Sequence, residues 1–323
     1  MSDAYAIISY PHSRNVGDEI QSLAAARLLP RVDHMVPREE VHRFEAPGAD
    51  RVRLICNGWF TPELEAWPPS AQLDPLLISF HATHKGGAAD HLISERHADF
   101  YRSVQPIGCR DHGTRQKLEA LGVEAYFSGC LTLTLDNPFG PDVERDGILV
   151  VDPFYMFNGP QKYVSDCLDI LIPEHVRPEV ELVTQWRPKD SVPPVEQKFK
   201  EAEALLERYA RAKLVVTSRI HCALPCLAMG TPVYFLDIGY DTGSLRDRFD
   251  GIMGLFNVVD GSHFPMRGSR KIYRTLRKLG IHRLASRNRS PVPIDWDQPL
   301  PNPDRHLEIR SKLKERVAEF VSC

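Results

Sequence analysis

The sequence lacks the features that mark several common classes of protein. No apolar run approaches the roughly 18 residues that a membrane-spanning helix needs, and the first residues have neither the basic nor the long apolar segment of a secretory signal. The seven cysteines form no C-x-x-C pair and no set with zinc-ligand spacing. The P-loop, the G-x-S-x-G elbow, H-E-x-x-H and the EF-hand loop are missing as well. We therefore expect a soluble cytoplasmic protein with reduced cysteines.

The composition is that of a globular protein with little net charge. Of its 323 residues 42% are hydrophobic and 26% are charged, and the formal net charge is −3. Such a chain is long enough for two domains of ordinary size. The charge gives no general reason to expect nucleic acid or an anionic membrane as a partner. Any anionic ligand must therefore be held by a local cluster of basic residues, and the oligomeric state stays open.

The most informative stretch runs from position 214 to position 236. Residues 214–217 form a short β-branched run of the kind found in buried strands. Residues 220–229 are mostly apolar and end at Gly230, which suits the left-handed position after a helix. A second apolar run, residues 233–236, follows. This order predicts a strand, a short buried helix and a parallel strand.

Arg219 and His221 fall between the first of these strands and the helix. Open α/β sheets bind ligands at that edge, and a helix N-terminus beside a guanidinium group suits an anion. Imidazole can exchange a proton near neutral pH. The alternative is structural: Arg219 makes a salt bridge and His221 packs at the start of the helix. The stretch by itself leaves both interpretations open.

The start of the chain has a similar organisation. Residues 5–10 form a strand candidate, and a helix with apolar spacing is predicted from Glu19 onward. The loop between them carries Asn15 and Asp18. Either residue can cap the helix, and the same polar loop could instead face a ligand.

Two later strands end in polar loops. The strand candidate at residues 76–81 ends at His81 and leads to a small basic loop that contains His84. That loop is either an anion contact or a solvated surface. The strand candidate that ends at Cys109 is followed at once by Arg110, which therefore occupies the same kind of position as Arg219.

The order of these elements predicts two Rossmann-like α/β domains. We assign residues 1–138 to the first domain and residues 145–261 to the second, with a Pro- and Gly-rich linker between them. Residues 262–323 form a basic segment followed by a closing amphipathic helix. The basic segment is interpreted as a solvated helix face, with a polymer or phosphate contact as the alternative.

Several blocks of the sequence together resemble the polysaccharide pyruvyl transferase family. The blocks are Asn15-Val16-Gly17-Asp18, Cys109-Arg110-Asp111-His112-Gly113-Thr114, Ser128-Gly129-Cys130-Leu131-Thr132-Leu133, Ser218-Arg219-Ile220-His221 and Gly230-Thr231-Pro232. They extend over residues 15 to about 237. The resemblance implies a GT-B-like fold, with two Rossmann-like domains facing a cleft. It also implies transfer of a pyruvyl group from phosphoenolpyruvate to paired hydroxyls of a carbohydrate acceptor, which forms a cyclic ketal and releases phosphate without a cofactor or a metal.

The resemblance also assigns roles to particular residues. Arg219 and His221 match an R-x-H motif at the donor site, Arg110 matches a second donor contact, and Asp18 lies near the acceptor side. A proton must reach the methylene carbon, and imidazole suits that transfer, so His221 is expected to be the general acid. Asp18 or His84 is the candidate base. The remaining candidates for substrate binding are Asn15, His81, His84 and Ser218.

The chain departs from the family pattern at two places. Glycine often follows the R-x-H histidine, where this chain has Cys222, and a lysine often follows the next strand, where residues 237–243 contain none. Arg246 is a candidate replacement for that lysine. Two alternatives stay open on the same fold: a nucleotide-sugar glycosyltransferase and a non-catalytic glycan-binding protein. The acceptor sugar and the stereochemistry of the ketal are not encoded in any motif.

Overall fold

A computed structural model shows a mixed α/β protein with two parallel sheets. It describes residues 4–48, 51–60, 67–82, 87–155, 161–238, 246–264 and 291–322. The class of fold that the sequence predicts, α/β with parallel sheets, is confirmed.

The first sheet has six strands in the order β2-β1-β3-β4-β5-β6, all parallel. They are β1 (Ala4–Ser9), β2 (His34–Pro37), β3 (Val52–Phe60), β4 (Leu73–Ala82), β5 (Ile107–Cys109) and β6 (Ala125–Phe127). The central strands β3 and β4 are mostly apolar and mostly buried, as expected where both faces of a parallel sheet are covered.

The second sheet has five parallel strands in the order β11-β10-β9-β7-β8. They are β7 (Ile148–Val151), β8 (Val180–Val183), β9 (Leu214–Thr217), β10 (Val233–Asp237) and β11 (Asn257–Asp260). In both sheets the chain first adds strands on one side of the starting strand and then on the other.

Eight α-helices connect and cover these strands in the part of the chain that the structure describes. They are α1 (Val16–Ala26), α2 (Ala88–Leu92), α3 (Ala98–Ser103), α4 (His112–Ala120), α5 (Gln161–Leu171), α6 (Val195–Arg211), α7 (Ile220–Ala228) and α8 (His306–Ser322). Within the described ranges, no helix combines the length and the apolar character needed to cross a membrane.

One hydrophobic cluster extends between the two sheets. It contains residues of β1, α1 and β4 from the first half and residues of α6, α7, β9 and β10 from the second half. Leu313 and Val317 of α8 belong to the same cluster. Separate clusters cover the outer faces of the two sheets. The central cluster therefore joins the two halves through a common apolar core.

The predicted strand–helix–strand unit is confirmed in detail. β9, α7 and β10 follow one another, and β10 pairs in parallel with β9. Gly230 follows the helix with a φ of 73°, the left-handed conformation that glycine adopts readily. The first helix begins three residues earlier than predicted, at Val16, and Asn15 caps it by accepting a hydrogen bond from the Gly17 amide.

Other elements were not predicted. These elements are β2, α2, α3 and α5. Three of them, β2, α2 and α3, have only four to six residues, which is too short to show a clear periodicity. Most of the basic segment predicted after position 262 also lies outside the described residues, because positions 265–290 are not among them.

A buried ionic network joins α1 to the second half of the chain. Arg187 contacts Glu19 at 2.9 Å and Glu201 at 2.7 Å, and Lys198 lies 3.4 Å from Glu19. The Lys198 ammonium also donates to the carbonyls of Tyr10, Pro11 and Ser13 at 2.8 to 2.9 Å. Burial raises the pKa of Glu19 to about 7, and the charge of Arg187 opposes this rise. The network therefore anchors the loop after β1 to α6.

This network generates a stability prediction. We expect Arg187→Met to lower the free energy of unfolding by about 3–5 kcal/mol, because it removes the closest partner of the buried Glu19 carboxylate. Arg208→Met is the control, since the Arg208–Glu181 pair is exposed at 42% and 65% and should contribute at most about 1 kcal/mol. Urea unfolding measures both variants. Equal losses in the two variants would contradict the assignment.

Candidate functional site

The candidate residues lie at the carboxyl ends of both sheets. In open parallel sheets, ligands bind where consecutive connections leave a strand in opposite directions. The strand order places such a point between β1 and β3 in the first sheet and between β7 and β9 in the second. The loop after β1 meets the loop after β8, because Val16 donates its amide to the Gln185 carbonyl and Arg187 donates its amide to the Arg14 carbonyl, at 2.9 and 2.8 Å.

Asp152 holds Arg219 in place at the β7–β9 point. The Arg219 Nε donates to Asp152 Oδ2 at 2.8 Å, and one terminal nitrogen lies 3.4 Å from Asn15 Oδ1. The guanidinium carbon stacks 3.6 Å from the Tyr155 ring centre. The other terminal nitrogen is buried and has no hydrogen-bond partner among the described residues. Arg219 therefore makes the salt bridge of the structural interpretation, and one of its terminal nitrogens is still available to donate a hydrogen bond to a ligand.

Asp152 itself adopts an unusual backbone conformation. Its φ is 41°, in the left-handed region that asparagine and aspartate tolerate better than most residues. Its carboxylate also accepts from the Gln185 amide at 2.9 Å, and its carbonyl accepts from the Ser218 hydroxyl at 2.7 Å. The strand ends of β7, β8 and β9 are therefore tied together by one residue.

The loop after β1 packs directly against His221. A Cβ atom at Gly17 would lie 3.0 Å from the Cβ of His221, so a larger residue would have to push the histidine away. Asp18 is buried and is hydrogen-bonded by Ser13 at 2.5 Å and by Asn15 at 3.0 Å. Burial raises the pKa of Asp18, while these hydrogen bonds and nearby arginines oppose the rise. The direct contacts of Asp18 therefore order its own loop.

Arg110 is the most unusual side chain of the site. It follows β5, is 0% exposed, and none of its three guanidinium nitrogens has a hydrogen-bond partner among the described residues. Burial lowers the pKa of Arg110 to about 10, and the charge of Arg248 lowers it further. A buried charge without hydrogen bonds is unfavourable unless another group compensates it. An anion is the group that would do so.

His81 forms a buried pair with Asp111. Its Nδ1 lies 2.6 Å from Asp111 Oδ2, and Asp111 also caps α4 by accepting from the Thr114 amide. Burial lowers the pKa of His81 to about 4, and the pKa of Asp111 is also lowered, chiefly by the charge and hydrogen bond of His81 against the effect of burial. An ionised carboxylate can only accept, so the neutral imidazole donates from Nδ1. This leaves Nε2 as a proton acceptor.

A β-bulge in β4 sets the direction of His81. Cys56 pairs with Leu77 and Gly58 pairs with Phe80, so β4 contains one extra residue at this point. Ser79 adopts a φ of 55° there. Without the bulge, strict alternation would turn the side chain of His81 to the outer face of the sheet. The bulge places it on the face that carries the central cluster.

His221 is buried at the start of α7. Burial lowers its pKa, and the charges of Arg110, Arg248 and Arg219 lower it further. Its Nε2 has no hydrogen-bond partner among the described residues. The imidazole is therefore neutral at pH 7 when no anion is present, and its charged form is opposed by arginines from both sheets.

A small pocket brings together four of the eight candidates, Asn15, Ser218, Arg219 and His221, whereas Asp18, His81 and Arg110 are not among the residues that line it. Its volume is about 330 Å³ with its open mouth included, and its walls include Asn15, Ser218, Arg219, His221 and Arg248. Cys222, one of the two departures from the family pattern, does not line it. That residue is fully buried in the central cluster, where its thiol interacts with Tyr209.

Two candidates remain, His84 and Arg246. His84 lies outside the described residues. Arg246 is 58% exposed and pairs with Asp237 through two nitrogens, at 2.9 and 3.2 Å. It does not line the pocket, whereas Arg248 does.

Sequence reasoning also missed functional neighbours. Asp152, Gln185, Tyr155 and Arg248 carried no motif, although Asp152 directly follows the apolar run that forms β7. The proximity of His81 to Asp111 depends on the β4 bulge, which a strand buried on both faces does not reveal by an alternating pattern.

Comparisons with known proteins identify one family. The sequence model of the polysaccharide pyruvyl transferases matches residues 78–240, a range that contains Arg110, Arg219 and His221. No curated protein matches the chain. Among solved structures, a functionally uncharacterised protein from Klebsiella pneumoniae aligns at a TM-score of 0.43 and 12% identity, over 76% of this chain and 87% of that chain.

The burial of Arg110 generates a second stability prediction. We expect Arg110→Met to raise the free energy of unfolding of the ligand-free protein by about 1–3 kcal/mol, because an apolar side chain of similar length replaces a buried charge. The exposed control Arg43→Met should change it by less than about 0.5 kcal/mol. Urea unfolding without added anions measures both. A clear loss of stability in Arg110→Met would show that the guanidinium is compensated within the protein.

Proposed function

The chain belongs to the polysaccharide pyruvyl transferase family, and we propose that its donor is phosphoenolpyruvate and its product a pyruvate ketal on a sugar. The observation that carries this proposal is the pocket in which Asn15, from the loop after β1, meets His221, Arg219 and Arg248. The charges of both arginines act on the same imidazole. We further propose that the two sheets belong to Rossmann-like domains of the GT-B type with the ligand between them.

The charge of the site suits this donor. Phosphoenolpyruvate carries a carboxylate and a phosphate, and planar guanidinium groups bind both through paired hydrogen bonds. Arg110 and Arg219 each have buried nitrogens without hydrogen-bond partners in the described structure. Since the whole chain has a net charge of −3, this local cluster is what makes an anion site possible. Asn15 and Ser218 supply neutral contacts beside it.

His221 is the proposed general acid. Ketal formation adds a proton to the methylene carbon while positive charge develops at the neighbouring carbon. A sugar hydroxyl oxygen then bonds to that carbon, phosphate leaves, and a second hydroxyl closes the ring. Burial lowers the pKa of His221, and the charges of Arg110, Arg248 and Arg219 lower it further. A bound trianion would offset those charges, raise the pKa, and allow His221 to carry the proton that it donates.

His81 is the proposed base for the attacking hydroxyl. Its Nδ1 hydrogen bond to Asp111 leaves Nε2 free of a proton at neutral pH. Asp111 orients the ring and would stabilise it once it has accepted the proton, as an orienting carboxylate does in other catalytic pairs. Asp18, by contrast, uses its contacts to hold the loop after β1. We therefore propose that Asp18 positions the acceptor-side loop.

Turnover tests the proposed function. We expect the protein to release phosphate from phosphoenolpyruvate only when a suitable sugar is present, and His221→Asn or Arg219→Gln to lower kcat/KM at least about 100-fold. The exposed His175→Asn variant is the matched control and should keep full activity. A phosphate-release assay with a panel of glycan precursors measures this, and nuclear magnetic resonance identifies the ketal.

Other results of these experiments would contradict the assigned residues or favour one of the alternative functions. Full activity in His221→Asn and Arg219→Gln would contradict the assignment of these residues. Thermal stabilisation by nucleotide sugars but not by phosphoenolpyruvate would favour a glycosyltransferase. Binding of a glycan without turnover of any donor would favour a non-catalytic protein.

Proton uptake tests the role of His221 separately. If the bound donor raises the pKa of His221, binding takes up a proton, and the affinity falls as pH rises through the raised pKa. We expect calorimetry at pH 7, in buffers of different ionisation enthalpy, to show more proton uptake in the wild type than in His221→Asn. The difference between the two proteins cancels the ionisation of the ligand itself. Equal uptake in both would exclude His221 as the group that gains the proton.

A further inference from the structure

Arg248 is a third arginine at the site, and it belongs to no recognisable motif. It lies in a 3₁₀ turn, Asp247–Phe249, that follows β10, and its side chain lines the same pocket as Arg219 and His221. Its Nε is buried and has no hydrogen-bond partner among the described residues. Arg246, two positions earlier, points its charge instead at Asp237 and is mostly exposed. The two arginines therefore have different surroundings despite their closeness in sequence.

Backbone contacts bring the turn that carries Arg248 to the end of β5. The amide of His112 lies 3.4 Å from the carbonyl of Asp250. Gly251 packs so closely that a Cβ there would lie 2.6 Å from the Phe127 ring and 3.0 Å from His112 Nε2. Arg110 comes two residues before His112. The segment around Arg248 is therefore fixed beside Arg110, although it belongs to the other half of the chain.

Arg110 and Arg248 form the uncompensated part of the site's positive charge. Arg219 is paired with Asp152 at 2.8 Å. Neither Arg110 nor Arg248 has a carboxylate within salt-bridge distance among the described residues. Apart from burial, the charge of Arg248 is the largest influence on the pKa of Arg110, and it lowers the pKa of His221 as well. Two adjacent guanidinium groups repel each other unless an anion lies between them.

We propose that Arg110 and Arg248 together bind the phosphate of the donor, while Arg219 binds its carboxylate. A phosphate dianion has the charge that two guanidinium groups match, and its three oxygens accept from both forks at once. A carboxylate suits the single remaining donor of Arg219, whose charge is already partly balanced. The assignment rests on phosphoenolpyruvate as the proposed donor. Arg248 then supplies the positive charge for which the sequence suggested Arg246.

Binding of two simple anions tests this division. Inorganic phosphate and pyruvate are the probes, titrated at constant ionic strength against the wild type, Arg248→Gln and Arg246→Gln. We expect Arg248→Gln to weaken phosphate binding about 10- to 100-fold and pyruvate binding less than about 3-fold, because a charge-assisted contact to phosphate is lost. Arg246→Gln, the matched control, should change phosphate binding less than about 2-fold. Arg248→Lys should restore part of the phosphate affinity.

The outcomes separate this inference from the proposed function. Equal phosphate affinity in Arg248→Gln and Arg246→Gln overturns the phosphate site, and so does an absence of phosphate binding by the wild type. If phosphoenolpyruvate is turned over with the same KM in Arg248→Gln as in the wild type, the result supports the proposed function and contradicts the phosphate site at Arg248. If no donor is turned over but phosphate binding still depends on Arg248, the result supports the phosphate site and contradicts the proposed function. Thermal unfolding of each variant confirms that it is folded.

Discussion

The contact between the loop after β1 and the loop after β8 is the constraint on which the rest of the site depends. Two backbone hydrogen bonds and the bridge between Asn15 and Trp186 join these loops. Lys198 fixes the first loop through three carbonyls, and the Gln185 side chain donates to the His221 carbonyl at 3.1 Å. Because of these contacts, the start of α1 in the first half packs against the start of α7 in the second, where Gly17 lies beside His221.

The central cluster makes that contact rigid. α1, α6 and α7 contribute to one apolar core, and α8 from the end of the chain packs into it as well. A shared core of this kind resists relative movement, since opening it would expose close-packed apolar surface. The ion network of Glu19, Arg187 and Lys198 lies beside the same helices. Apolar packing and buried charges thus fix the loop after β1 in one position.

The sequence predicts the parts of this protein that depend on local patterns. The β9–α7–β10 unit follows from an apolar strand, a helix with a terminal glycine and a second strand, so local patterns alone predict where Arg219 and His221 lie. The family blocks predict the position of Arg110 in the same way. The rest depends on contacts between distant residues. The pairing of His81 with Asp111 needs the β4 bulge, and Arg248 reaches Arg110 only through Asp250 and Gly251. A local sequence pattern does not reveal such contacts, which explains why the sequence suggested Arg246 and not Arg248.

The arginines of the site are held in two different ways, and the difference suggests how the site works. Arg219 is oriented by Asp152 and stacked on Tyr155, so its position is fixed and its charge is largely balanced. Arg110 is buried, and none of its guanidinium nitrogens has a hydrogen-bond partner among the described residues. Burial, together with the charges of Arg110, Arg248 and Arg219, keeps His221 neutral. An entering anion would therefore relieve two unfavourable states together, the buried guanidinium and the depressed pKa of the imidazole. Binding of the anion would then also protonate His221 and so prepare it to donate a proton.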